Sequence, residues 1–221
     1  MKRVNLKMAL YLLLPLGILS LSALNLSAAE NSRTWNFQVL LDDEPIGTHQ
    51  FQLRPRADGS LQVSSQARFQ VRFLGFTAYG YQHDSQEFWR GNCLSKLTTT
   101  TNDNGKQLSV RGQRGNDGFT LQTQAERHDY PACIRSFAYW NLDYLRSPQL
   151  LNTQTGELIN VQLQALGREN IPVEDGETVS ALRYRLSGPD LQIDLWYSDQ
   201  QRWLALESVL ENQRRLRYRL Q

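Results

Sequence analysis

The chain has 221 residues, 40% hydrophobic and 10% aromatic, with 24 basic against 22 acidic side chains. That is length enough for one sizeable core, and the near balance of charge gives no bulk electrostatic case for binding nucleic acid. Within the first seven residues, Lys2, Arg3 and Lys7 meet no acid, and an apolar run follows from Met8 to Leu24. Asn25-Leu26-Ser27-Ala28-Ala29 then places small residues where a signal peptidase reads. Residues 1–29 therefore read as a signal peptide cut after Ala29. A retained membrane anchor is the alternative, but the run is short for a bilayer and is interrupted by Pro15 and Gly17. No cysteine at the cut favours a lipoprotein. Removing the segment takes three basic residues and leaves 21 basic against 22 acidic side chains. The expected product is a single β-rich domain over 30–221, periplasmic and not an integral membrane protein after cleavage.

Period-two alternation runs through this region. Trp35, Phe37, Val39 and Leu41 face one way, the Asp42-Asp43-Glu44-Pro45 stretch turns the chain, and His49, Phe51 and Leu53 resume the pattern. After Ala57-Asp58-Gly59, Leu61 to Phe69 alternates again. A long strand or strand pair is expected over Arg72 to Arg90, with Gly75 and Gly80 as bend points. Cys93 to Thr101 is rich in β-branched threonine. Asp103-Asn104-Gly105 and Asn116-Asp117-Gly118 are turns rather than calcium loops, since the spaced acids and closing glutamate of such a loop are missing.

One helix is expected, Ile134 to Leu145, where Ile134, Phe137, Ala138, Trp140, Asn141 and Tyr144 approach the 3.6-residue period before Ser147-Pro148. Strands resume over 158–166, 178–186, 191–197, 203–209 and 214–220, the last two paired around Glu211-Asn212. That pairing sets Glu207 near Arg215 and Trp203 near Arg219, making the arginine ladder a paired outer face. The fold class is mainly β: one large curved antiparallel sheet or open barrel of about 10–12 strands with one internal helix. Cys93 and Cys133 form the simplest disulfide of an exported protein; a redox pair normally sits closer together, as C-x-x-C.

Several stretches carry a family resemblance. They are Phe37 to Gly47, Tyr139-Trp140-Asn141, Leu150 to Leu158, and Leu195-Trp196-Tyr197-Ser198. In this order they resemble exported bacterial proteins of domain of unknown function 6134 and, more distantly, family 3108. The resemblance implies an exported β-rich domain and brings no reaction or catalytic residues with it.

No nucleophile elbow, phosphate loop, dinucleotide fingerprint or zinc-protease motif is present. His49, His83 and His128 share no ligand spacing, so no metal or cofactor is expected. On a regular strand, Tyr79, Tyr81, His83, Ser85, Glu87 and Trp89 share one face, with His83 and Glu87 flanking Ser85 at ~7 Å per two residues. His83 and Glu87 are thus weak acid–base candidates, set against a plain wet sheet face. Trp140 and Asn141 either plug the concavity or line a pocket. Tyr81, Trp89 and Tyr197 join them as ligand-binding candidates, although the aromatics are core residues first.

Three functional expectations follow, in order. The first is a non-enzymatic protein holding a lipid-like or hydrophobic small molecule in the concavity of its sheet. The second is an accessory factor that binds an envelope protein through a sheet face or edge. The third is a hydrolase or isomerase using His83 and Glu87.

Overall fold

The computed structural model describes residues 32–73, 76–172, 177–210 and 213–221. The expected signal peptide with Ala29, the Gly75 bend and the Glu211-Asn212 turn lie outside them. The strands are β1 (Arg33–Leu41), β2 (Glu44–Pro55), β3 (Leu61–Phe73), β4 (Phe76–Arg90), β5 (Cys93–Asp103), β6 (Lys106–Arg114), β7 (Phe119–Thr123) and β8 (Arg127–Tyr130). Then follow β9 (Gln149–Leu151), β10 (Leu158–Asn160), β11 (Gln162–Pro172), β12 (Thr178–Gly188), β13 (Leu191–Tyr197), β14 (Trp203–Val209) and β15 (Arg215–Leu220).

Thirteen of these strands form one antiparallel sheet in the order β11-β12-β13-β14-β15-β1-β2-β3-β4-β5-β6-β7-β8, and β9 pairs with β10 separately. The sheet is not closed. Its two edges, β8 and β11, are joined in sequence by residues 131–161, and that segment lies between them. Tyr130 donates from its hydroxyl to the Gly156 carbonyl on one side, and Gly188 of β12 packs against Asn160 on the other.

Alternation sets the two faces. On β1, Trp35, Phe37, Val39 and Leu41 are buried, as the period-two reading expects. Curvature comes from breaks in register: the pairings shift at Val39/Leu40, Val71/Arg72, Phe88/Trp89, Ala165/Gly167 and Trp196/Tyr197. Each bulge adds twist, so a sheet this wide rolls up rather than staying flat. His83 of β4 and Leu191 of β13 consequently line one cavity although six places apart in the strand order. Gly80 pairs regularly with Gln70, and the break falls beside it, at Ala78. Two-residue hairpin turns hold left-handed backbone at Asp42-Asp43 (φ 50° and 73°) and Asn104-Gly105 (φ 50° and 94°), which matches strand twist.

No α-helix forms at Ile134–Leu145. The regular structure nearest to it is a single 3₁₀ turn, Tyr144–Arg146. The backbone of this segment is committed elsewhere: Leu94 N–H donates to the Ile134 carbonyl, Leu151 N–H to the Arg135 carbonyl, and Ser136 bridges to Leu151 in parallel. The aromatic spacing still buries Ala138, Trp140 and Tyr144, in an irregular chain that docks onto the concave face. A Cys93–Cys133 disulfide, closing 40 residues, pins its start to β5.

On the outer face, Glu207 accepts from both Arg217 (2.7 Å) and Arg215 (3.4 Å), so two rungs of the Arg215/Arg217/Arg219 ladder are paired as expected. Trp203 is not beside Arg219. It is fully buried on the inner face, packing 4.3 Å from Phe37 and 5.1 Å from Phe51 between ring centroids.

Candidate functional site

Tyr79, Tyr81, His83, Ser85, Glu87 and Trp89 do share the concave face of β4, and they change character along the strand. Trp89 is 1% exposed and packs against Trp140 and Tyr144. Its indole N–H donates to Glu87 at 2.9 Å. From Glu87 to Tyr79 the row opens onto two hollows. An inner cavity of about 230 Å³ lies under residues 137–140 and 152–154, floored by His49, Ser65, His83, Ser85 and Glu87. A rim cavity of about 690 Å³ lies toward the β1–β2, β3–β4 and β14–β15 hairpins, walled by Leu41, Ile46, Phe69, Val71, Ala78 and Leu216. His49, Tyr81 and Gln154 belong to the walls of both, so the two adjoin. The Tyr81 hydroxyl donates to Gln154 Oε1 at 2.8 Å, on this shared wall.

The floor polar groups are held in short chains. His49 contacts Ser65 Oγ through Nε2 (2.6 Å) and the Tyr218 hydroxyl through Nδ1 (3.1 Å), and it stacks on Phe51. His83 Nδ1 meets Thr101 Oγ1 at 2.8 Å. Burial disfavours the imidazolium, lowering His49 to about 3 and His83 to about 4; for His83 the Asp84 carboxylate opposes the shift only in part. Both rings are neutral at pH 7. Glu87 is raised to about 7 by burial, against the opposing hydrogen bonds from Ser136 and Trp89. Desolvation wins, as expected for a carboxyl with no cation beside it.

A family model for "Domain of unknown function (DUF6134)" matches residues 37–221. The chain belongs to the DUF6134 family. No curated protein matches it. The DUF6134 fold is similar to a crystal structure described as a β-barrel-like protein of domain of unknown function DUF1849 from Brucella abortus. The TM-score is 0.63 at 6% identity, covering 87% of this chain and 96% of that one. At that identity the likeness concerns fold alone.

Within the DUF6134 domain, Tyr81 and Trp140 line the inner cavity, and Tyr81 the rim cavity too. Three other candidates do other work. Trp89 is core. Tyr197 is fully buried and donates from its hydroxyl to the Tyr139 carbonyl. Asn141 Oδ1 accepts from the backbone N–H of Asp143 and Tyr144, shaping the turn. His83 and Glu87 floor one cavity but share no hydrogen bond: Glu87 is fastened to Ser136 and Trp89, His83 to Thr101. His128 pairs with Glu126 at 3.3 Å outside the site. Sequence reasoning passed over His49, Ser65 and Gln154. The signal for His49 was its inward position in the alternation with Phe51 and Leu53.

A further hollow of about 300 Å³ lies on the outer face against Ile171 and Trp196, with polar groups already engaged: Glu169 accepts from Trp196 and Arg183, Glu207 from Arg217.

Proposed function

We propose that this DUF6134 protein is an exported periplasmic binding protein that holds a hydrophobic small molecule or lipid in the rim cavity of its curved sheet. The carrying observation is a hollow of about 690 Å³, walled mainly by aliphatic and aromatic side chains, left unfilled beside a core that is otherwise packed. Its volume lies within the range of small-molecule sites, and apolar walls with few polar groups are their usual lining. Export is supported by the basic and apolar N-terminal sequence and by the Cys93–Cys133 disulfide, which persists in an oxidising compartment. Among the described residues no helix is long and apolar enough to cross a membrane.

An accessory factor docking on an envelope protein is the second reading, favoured by Phe76, which stands 79% exposed at the end of the β3–β4 hairpin. Native mass spectrometry of the protein purified from the cells that make it separates the two. A co-purifying apolar molecule, displaced by bulky substitution at Val71 and Ala78, supports the cavity reading. Protein that is uniformly empty and takes up no added lipid overturns it.

A further inference from the structure

The inner cavity differs from the rim cavity in what its walls leave unsatisfied. His83 and Ser85 are each 8% exposed and both line it. His83 spends Nδ1 on Thr101, while its Nε2 and the Ser85 hydroxyl have no hydrogen-bond partner among the described residues. Neither atom is sealed away: among the described residues the one fully buried side-chain polar atom without a partner is Arg183 Nε, so these two open into the cavity, where an occupant that excludes water must supply their hydrogen bonds. Two such groups two residues apart on one strand face, aimed into the same small space, form a donor–acceptor pair awaiting a complement. The neighbouring polar groups are already committed, Ser65 to His49 and Glu87 to Ser136 and Trp89.

Charge in this cavity is as telling as hydrogen bonding. No Lys or Arg lines it, and its one acid is Glu87. A carboxylate or phosphate placed there would lose its hydration with no cation to replace it. An ammonium group would find a single carboxyl, only half ionised near pH 7 and with its oxygens already engaged by Ser136 and Trp89. A wholly apolar group would leave His83 and Ser85 bare. What fits is polar and uncharged.

We infer that the inner cavity takes an uncharged hydrogen-bonding group, a hydroxyl, carbonyl or amide, of an otherwise apolar molecule whose apolar part lies in the adjoining rim cavity. This rests on the ligand-binding reading above and narrows it to neutral amphiphiles. Ser85 and His83 are the residues that select the polar end; Tyr81, Phe69 and Leu216 contact the apolar part.

The test is isothermal titration of the folded protein, stripped of bound molecules, with 1-decanol, decanoate and undecane at pH 6, where Glu87 keeps its proton and decanoate is ionised. The alcohol is expected to bind at least roughly tenfold more tightly than either of the others, the equivalent of one net buried hydrogen bond. Ser85→Ala is expected to lower the alcohol affinity by about tenfold and leave undecane unchanged, a split that general loosening of the fold would not give. Decanoate binding as tightly as decanol, or a Ser85→Ala variant that keeps the alcohol preference, overturns the inference while leaving the binding reading in place. Failure of all three probes to bind overturns both.

Discussion

The Ser136 hydroxyl lies 3.0 and 3.1 Å from the two carboxylate oxygens of Glu87, a contact that crosses 49 residues of sequence. With the Trp89 indole on the same carboxylate, it fastens the segment spanning the sheet edges to the floor of the concavity. A buried acid thus serves as the anchor point of the cover.

This anchor makes stability depend on pH in an unusual direction. In the folded chain Glu87 keeps its proton up to about 7, whereas the unfolded side chain loses it near 4.5. The associated stability is complete below pH 4.5 and declines as pH rises through 7, by on the order of 3 kcal/mol. Glu87→Gln, neutral throughout, is expected to flatten urea-unfolding free energies between pH 5 and 8, with its advantage over wild type greatest at pH 8. Parallel curves for the two proteins would refute this.

The two floor histidines slope the other way. Unfolded histidine takes up its proton near 6.5, while His83 and His49 resist protonation until about 4 and 3. Their contribution is complete above 6.5 and is lost as pH falls through the folded values, about 3 kcal/mol for His83 alone by pH 4. Replacing both by glutamine is expected to narrow the difference in unfolding free energy between pH 7 and pH 4. An undiminished difference in the double variant counts against neutral, buried rings.

The disulfide closes a loop of 40 residues, so chain entropy assigns it about 4 kcal/mol. Cys93→Ser with Cys133→Ser is expected to lower the denaturation midpoint accordingly. Because Cys133 begins the cover, hydrogen exchange at Ile134–Leu145 should quicken more than exchange in β13. Uniform loss of protection across the sheet would show that the cross-link does not act locally.

A glycine pair gives a contrast in which chemistry is constant and position decides. A Cβ on Gly47 would lie 1.9 Å from the Arg68 carbonyl oxygen, which the β2–β3 pairing holds in place. Gly47→Ala should cost about 3 kcal/mol or more, since backbone must move. Gly80→Ala meets nothing within 4 Å and should change stability by less than about 1 kcal/mol. Thermal unfolding of the two variants side by side is the measurement.

How much of this was legible in the sequence depends on the range of the forces involved. Strand faces were readable because alternation is a local signal: Trp35 to Leu41 and Tyr79 to Trp89 point as their spacing says. The Asp42-Asp43 and Asn104-Gly105 turns were readable for the same reason. Ile134–Leu145 misled because aromatics at near-helical spacing also suit an irregular segment whose backbone partners, Leu94 and Leu151, lie in other elements. The site was half visible. His83, Ser85 and Glu87 fall on one face by counting, but His49, Ser65 and Gln154 come from other strands and the cover. Only the curl of the sheet sets them against the same cavity.

That curl also fixes the order in which the molecule can be completed. Apart from β1 with β15, every pairing in the large sheet joins strands that follow one another along the chain, so those hairpins can zip locally. Phe37 opposite Leu220 is the exception, and its loop-closure entropy is offset only once nearly everything between has collapsed. Folding should therefore be fast in its parts and slow at one seam. Until that seam shuts, β1 and β15 each present an open edge to any other copy in the same state. A permuted chain with the two strands joined by a short linker and a new opening at Asn116-Asp117 would convert this seam into one more hairpin and move the long-range closure to β6 with β7.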